Sequence, residues 1–235
     1  MKSIKLSAVL LLVALFFSCQ KKDTQAIIEE NSTQLEKYKE YISDISSGVI
    51  SKYDPIYVVL QTPIQGWSDN QELSKDILEI SPSVKGKLIA VNNRTISFIP
   101  EDSFEGNTTY TVELDLDELI EDLEKGLDDT FVFAVETMKQ QFSLNTENLQ
   151  SYSKDWQYIE GNIATSDKMK FETAKQLLTV TQDGKQVPIK FGESLTLSRN
   201  FSFRIDSIQR LVDDSEIELK WSGKPFNIEL SLIHI

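Results

Sequence analysis

The sequence predicts an all-β chain, two β-sandwich domains in tandem behind an N-terminal signal and a polar tether. Three observations carry this. Strand-like runs recur with turn signals every ~8–12 residues from Tyr41 onward, which is the spacing of sandwiches. The 235 residues, less a signal and a tether, divide into two units of the ~100 residues that suit an immunoglobulin-like sandwich. Hydrophobic residues make up 40% and charged residues 26%, so the chain has the composition to bury a core.

The chain opens with a secretory signal over 1–18. Lys2 and Lys5 form a positive n-region, and Ala8 to Phe17 is an unbroken apolar run. As a helix this run spans only ~15 Å, about half of the ~30 Å hydrocarbon core, so it reads as a signal h-region and not a membrane span. Leu15-Phe16-Phe17-Ser18-Cys19 then sets a small residue directly before the only cysteine. The stretch resembles the lipobox of bacterial lipoproteins, with Phe16 where that pattern prefers Leu. The alternative is an ordinary secretory signal followed by an incidental cysteine. The resemblance implies cleavage before Cys19, acylation of Cys19, and the lipid bilayer as partner. Two or three acyl chains on one residue give stable anchoring. Gln20 is not the Asp of the inner-membrane retention signal, and Lys21-Lys22-Asp23 lacks an acidic export pair. The implied address is the outer membrane, facing the periplasm.

Residues 19–40 are polar and charged, with a patchy helical spacing at Ile27, Ile28, Leu35 and Tyr38. They read as a lipidated tether, helical at most in its second half. The first sandwich is expected over 41–138. Its strands are a buried run at Pro55–Leu60, a hairpin of 87–91 and 95–99 around Asn92-Asn93-Arg94, and alternating strands carrying Tyr110, Val112, Leu114 and then Phe131, Phe133, Val135. Between the last two, Leu116, Leu119, Ile120 and Leu123 recur at helical spacing. Asp115 is placed to cap this helix and Gly126 to close it. Carboxylates crowd the same stretch from Asp115 to Asp129, yet Leu119 occupies the third ligand position of an EF-hand loop. The stretch therefore reads as a solvated helix face.

The second sandwich is expected over 139–235. Phe142–Leu144 and Trp156–Ile159 are strands, the latter leading to Gly161. Met169–Leu178 reads as a short helix capped by Asp167. Leu178–Thr181 and Val187–Phe191 bracket Gln182-Asp183-Gly184-Lys185, a strong hairpin signal. Phe201–Ile208 and Ile217–Trp221 follow. The apolar end, Glu229 to Ile235, looks like a chain cut inside a longer frame.

Lys plus Arg number 24 against 37 Asp plus Glu, a net charge of −13 that repels phosphate backbones and argues against nucleic acid as partner. One Cys and one His, His234, leave no disulfide, no CxxC knuckle and no His-based metal or triad chemistry. Neither a phosphate-binding Gly-rich loop nor a GxSxG or HExxH motif occurs. The expectation is a non-enzyme with no cofactor, no metal and no catalytic residue, Cys19 being the one site residue. Trp67, Trp156 and Trp221 could line a sugar groove but read better as core or edge packing. The sequons at Asn31, Asn93, Asn107 and Asn200 carry no meaning in a bacterium.

Ile80-Ser-Pro-Ser-Val-Lys-Gly86, Asn93-Arg-Thr-Ile-Ser-Phe-Ile-Pro100 and Gly106-Asn-Thr-Thr-Tyr-Thr-Val112 form a series that resembles bacterial immunoglobulin-like domains. It reads as a Pro-initiated strand, a hairpin, a Pro-ended strand, a Gly turn and a strand with Tyr inward. Together with the lipobox, Phe203–Arg210 and Ile217–Pro225, the chain resembles the N-terminal region of large alpha-2-macroglobulin-like lipoproteins of Bacteroidetes-type bacteria. That resemblance implies a membrane-anchored, non-catalytic scaffold of a protease-trapping inhibitor, with a second macroglobulin-like sandwich and proteases as targets of the full-length protein. No CxEQ thioester string occurs in these residues, so the trapping chemistry would lie elsewhere. A structural or adhesive Ig-like surface lipoprotein is the alternative. Oligomeric state is left open.

Overall fold

Residues 23–230 are described by a computed structural model. The signal, Cys19 and His234 lie outside them. The first half comprises helix α1 (Thr24–Lys37) and nine strands. These are β1 (Ile42–Ile45), β2 (Val49–Ile50), β3 (Ile56–Leu60), β4 (Gln71–Glu72), β5 (Leu78–Ser81), β6 (Gly86–Ala90), β7 (Thr95–Pro100), β8 (Thr109–Asp115) and β9 (Thr130–Thr137). One sheet has the order β1-β3-β7-β6-β4 and the other β2-β9-β8-β5. The alternating apolar residues explain why these strands form a sandwich. Ile56, Val58 and Leu60 point inward from β3, Tyr110, Val112 and Leu114 from β8, and Phe131, Phe133 and Val135 from β9. The β6–β7 hairpin closes as the asparagines predict, the Asn92 Oδ1 accepting from the N–H groups of Arg94 and Thr95. Asn107 takes a positive φ of 59° at the expected turn.

Three expectations for this half are corrected. The 19–40 segment is no free tether in its described part. From Asp23, whose side chain caps the helix, α1 lies along β9 and buries Ile27, Asn31 and then Tyr38. The buried face passes through a polar residue, which hid it from an apolar count. Asn31 is held by backbone, its Nδ2 donating to Ala134 O at 2.7 Å and its Oδ1 accepting from Ala134 N at 3.0 Å. Second, the acidic stretch after Asp115 is a loop. Only one turn forms, with the N–H groups of Leu119 and Ile120 on Leu116 O. Asp117–Glu121 and Glu118–Asp122 are like-charge pairs at i,i+4 in a segment too short to be a stable helix on its own. Its apolar residues do pack inward, Leu116 fully. Third, Pro82 does not begin a strand: β5 ends at Ser81 and β6 starts at Gly86.

The second half comprises β10 (Gln141–Thr146), β11 (Gln150–Ser151), β12 (Trp156–Lys170), helical turn α2 (Phe171–Ala174), β13 (Leu178–Gln182), β14 (Lys185–Gln186), β15 (Ile189–Phe191), β16 (Leu197–Gln209), β17 (Ile217–Trp221) and β18 (Glu229–Leu230). A six-stranded sheet contains β15-β16-β12-β10-β18, with β11 on β12, and a smaller sheet has the order β14-β13-β17. Asp183 and Gly184, at φ 48° and 75°, make the predicted hairpin turn. Val187–Phe191 is split, however. β14 pairs with β13 while β15 joins β16, with Pro188, which has no N–H to donate, between them.

Here too the structure corrects the reading. Gly161 does not end a strand: β12 runs through it for 15 residues. A Cβ there would lie 2.3 Å from the Phe203 ring and 2.6 Å from Asn145 O, so glycine lets the aromatic lie flat on the sheet. The expected helix over 169–178 is only α2, capped by Lys170 with no side-chain bond. Asp167 is not its cap. The two buried cores divide between Val135 and Phe142.

Candidate functional site: the joint between the two cores

The register of β12 against β16 breaks between Ala164 and Met169. A bulge of this kind re-aims side chains, and here it turns Asp167 inward until none of it is exposed. Its Oδ2 accepts from the N–H of Lys52, in the β2–β3 loop of the first half, at 3.0 Å. Its Oδ1 accepts from Lys168 N at 2.7 Å, and the Arg199 guanidinium stands 3.9 Å away. A buried carboxylate persists only when so partnered.

The crossing chain is stitched to the same bulge. Gln140 donates from Nε2 to Asp167 O and accepts on Oε1 from Asp167 N. The Ser166 hydroxyl donates to Lys139 O and accepts from Gln141 N. Upstream, Met138 N donates to Ile50 O. Two ion pairs flank the joint, Lys168 with Asp54 at 2.8 Å and Lys170 with Asp102 at 2.6 Å. The Lys170 ammonium beside it holds the Asp102 carboxyl below its ordinary range, and Lys170 itself is raised. Burial raises the neighbouring Tyr53 phenol. This arrangement fixes two units against each other. It presents neither a nucleophile with a base nor a ligand set, and among the described residues no group of three acidic, His or Cys side chains could hold a metal.

A second feature is a groove of about 630 Å³ across β10, β12, β16 and β15. Asn145, Asn162, Ser202 and Lys190 line it, with Arg204 stacked 3.6 Å over the Tyr158 ring. Arg204 pairs with Glu160 and Lys190 with Asp206, while the Glu147 carboxylate accepts from Gln150 Nε2.

The three tryptophans are not brought together. Trp67 packs on the first core, while Trp156 and Trp221, both partly exposed, begin β12 and end β17. Asn31 is buried, and the acidic residues of 115–129 belong to the loop above. Sequence reasoning gave Asp167 the role of a helix cap and missed Gln140. The available signal was an acid inside a run that alternates as a strand on both sides.

With the geometry in place, the comparisons with known proteins are informative for one unit. Residues 46–143 match the family described as bacterial Ig-like domain. A bacterial Ig-like domain is thus present, and the chain is an all-β, Ig-like sandwich protein. No curated protein matches. Among solved structures, the chain is similar to L,D-transpeptidase 3 from Mycobacterium tuberculosis at 12% identity, covering 52% of this chain and 46% of that one with a TM-score of 0.29. A second L,D-transpeptidase from the same organism is 10% identical over 65% and 59%, with a TM-score of 0.30. Tandem Ig domains of titin are 8% identical over 81% and 97%, with a TM-score of 0.20. The chain spans about half the length of the transpeptidases, and likeness at these scores transfers no activity.

Proposed function

We propose that this chain is a non-catalytic structural or adhesive scaffold of the bacterial envelope, anchored in a lipid bilayer through acylated Cys19. The bacterial Ig-like domain supports the class, and the joint at Asp167 is the observation that carries the scaffold role. A buried carboxylate that takes one amide from each unit transmits force and fixes an angle, which is what a spacer or a presenting stalk requires. Anchoring rests on the signal and on Ser18-Cys19. Cys19→Ser should move the protein from the detergent-extracted membrane to the soluble fraction. Unchanged fractionation would remove the anchor from the reading.

The finer reading is the N-terminal scaffold of an alpha-2-macroglobulin-like protease trap in the periplasm, 41–138 and 139–235 forming its first two sandwiches. It is favoured by the Phe203–Arg210 and Ile217–Pro225 strings beside the lipobox, since the bacterial Ig-like match accounts for Ile80–Val112 without it. On this reading the 20–235 piece neither inhibits trypsin-like or elastase-like proteases nor forms a covalent adduct with them on denaturing gels. The same reading is tested by sequencing the gene past Ile235, where it expects a frame with a CxEQ string. A stop codon there returns the chain to the adhesive class.

A further inference from the structure

The start of α1 sits at the joint. The Thr24 hydroxyl donates to the Glu136 carboxylate near the end of β9, just before the chain crosses between the cores. Ile28, one turn on, lies beside Gly48, where a Cβ would sit 3.6 Å from its Cδ1, and Val49 pairs with Glu136 across β2 and β9. At the other end of the helix, about 21 Å away, Lys37 pairs with Asp128, and the Tyr38 hydroxyl donates to the Asp128 carbonyl. The helix therefore runs antiparallel to β9, with its N-terminus at the joint and its C-terminus at the far end of the first sandwich.

From this we infer that the joint faces the bilayer, so that the protein lies flush on the lipid surface with its two units to either side of the anchor. The inference rests on the anchoring of Cys19 proposed above. Only Gln20, Lys21 and Lys22 separate that residue from Asp23, where α1 is already capped and packed. Four peptide steps reach at most about 14 Å however they are arranged. Because Ile27 and Asn31 tie the first turns of the helix to the sandwich, no further chain pays out. The surface beside this point suits a bilayer interface. Ile28 and Val49 are apolar and exposed at 37% and 45%, and in sequence Lys21 and Lys22 stand between Cys19 and the helix, cations of the kind that anionic headgroups attract.

Depth labelling tests the inference on the acylated full chain in phosphatidylcholine–phosphatidylglycerol vesicles containing doxyl lipids. Acylation occupies Cys19, the only native cysteine, so a cysteine introduced at Val49 or at Glu121, near the far end, takes a single environment-sensitive fluorophore. The expected result is loss of emission for Val49→Cys and none for Glu121→Cys. A flexible Gly-Ser insertion of about 20 residues between Lys22 and Asp23, with a root-mean-square span of about 25 Å, should abolish the quenching while leaving the protein in the membrane fraction. Equal quenching at both positions, or at neither, in protein whose intact mass shows the acyl chains would overturn the flush arrangement alone. Unacylated, soluble protein overturns the anchor, and this inference with it.

Discussion

The two units differ in how they use strand length. The first is made of strands no longer than eight residues in two balanced sheets, and 21 buried apolar residues form its core. The second hangs on β12 and β16, of 15 and 13 residues, and gathers, among the described residues, 13 buried apolar ones. Long strands lengthen a sheet past the core that it covers. Leu195 and Val212, in the loops before β16 and before β17, stand on the surface, the latter fully exposed. Burial is the dominant favourable term in folding, so the second unit has the smaller margin and leans on the first through the joint.

Core truncation should break this comparison most visibly. Phe133→Ala in the first unit and Phe201→Ala in the second each cost about 3–5 kcal/mol. In urea, Phe201→Ala should bring forward an early transition of the second unit while the first unit's transition holds. A single shared transition for both variants would mean the units are not separable. Asp167→Ala comes next. It takes the acceptor from the part-buried N–H groups of Lys52 and Lys168, at about 1 kcal/mol each, and a single calorimetric transition of the wild type should give way to two resolved peaks. A uniform downward shift without splitting would make Asp167 an ordinary core residue.

Gly161→Ala probes the closeness of Phe203 to the sheet. With Asn145 O on the same side the site cannot open freely, so a loss of about 1–3 kcal/mol is expected. In the first unit Gly86 is matched against Phe98, where a Cβ would sit 2.4 Å from the ring. Gly86→Ala should cost a similar amount, and a neutral result at either site would show the ring to be mobile. The smallest effect is ionic. Lys170 lowers the folded-state pKa of Asp102, so the pair's stabilisation is present above the unfolded carboxyl value near 3.9 and lost as pH falls through the lower folded value. Both side chains are largely solvated, so the stability difference between wild type and Lys170→Ala should be small at pH 7 and vanish in acid.

What the sequence revealed follows from which interactions are periodic. Strand alternation at Tyr110–Leu114 and Phe131–Val135, and the turn residues Asn92 and Asp183-Gly184, are local signals, and the structure bears them out. Features built from distant pairs were hidden. Nothing near Asn31 announces Ala134, more than a hundred residues away, and nothing near Asp167 announces Lys52. The acidic loop misled because helical apolar spacing also serves a loop that tucks several leucines under a sheet.

Asn31 has one more consequence. Along β9, β2 pairs only with Glu136 and Thr137, so on that flank the earlier residues have no neighbouring strand. The Asn31 amide, giving one hydrogen bond to Ala134 and taking one, stands in for the missing strand and closes a self-complementary edge. Phe131-Val-Phe-Ala-Val135 is the kind of aromatic, β-branched segment that adds to copies of itself when its edge is open. Without the helix at the N-terminus this edge would be bare. A chain lacking the residues up to Lys37 would keep every strand of this sandwich and offer that edge to other copies.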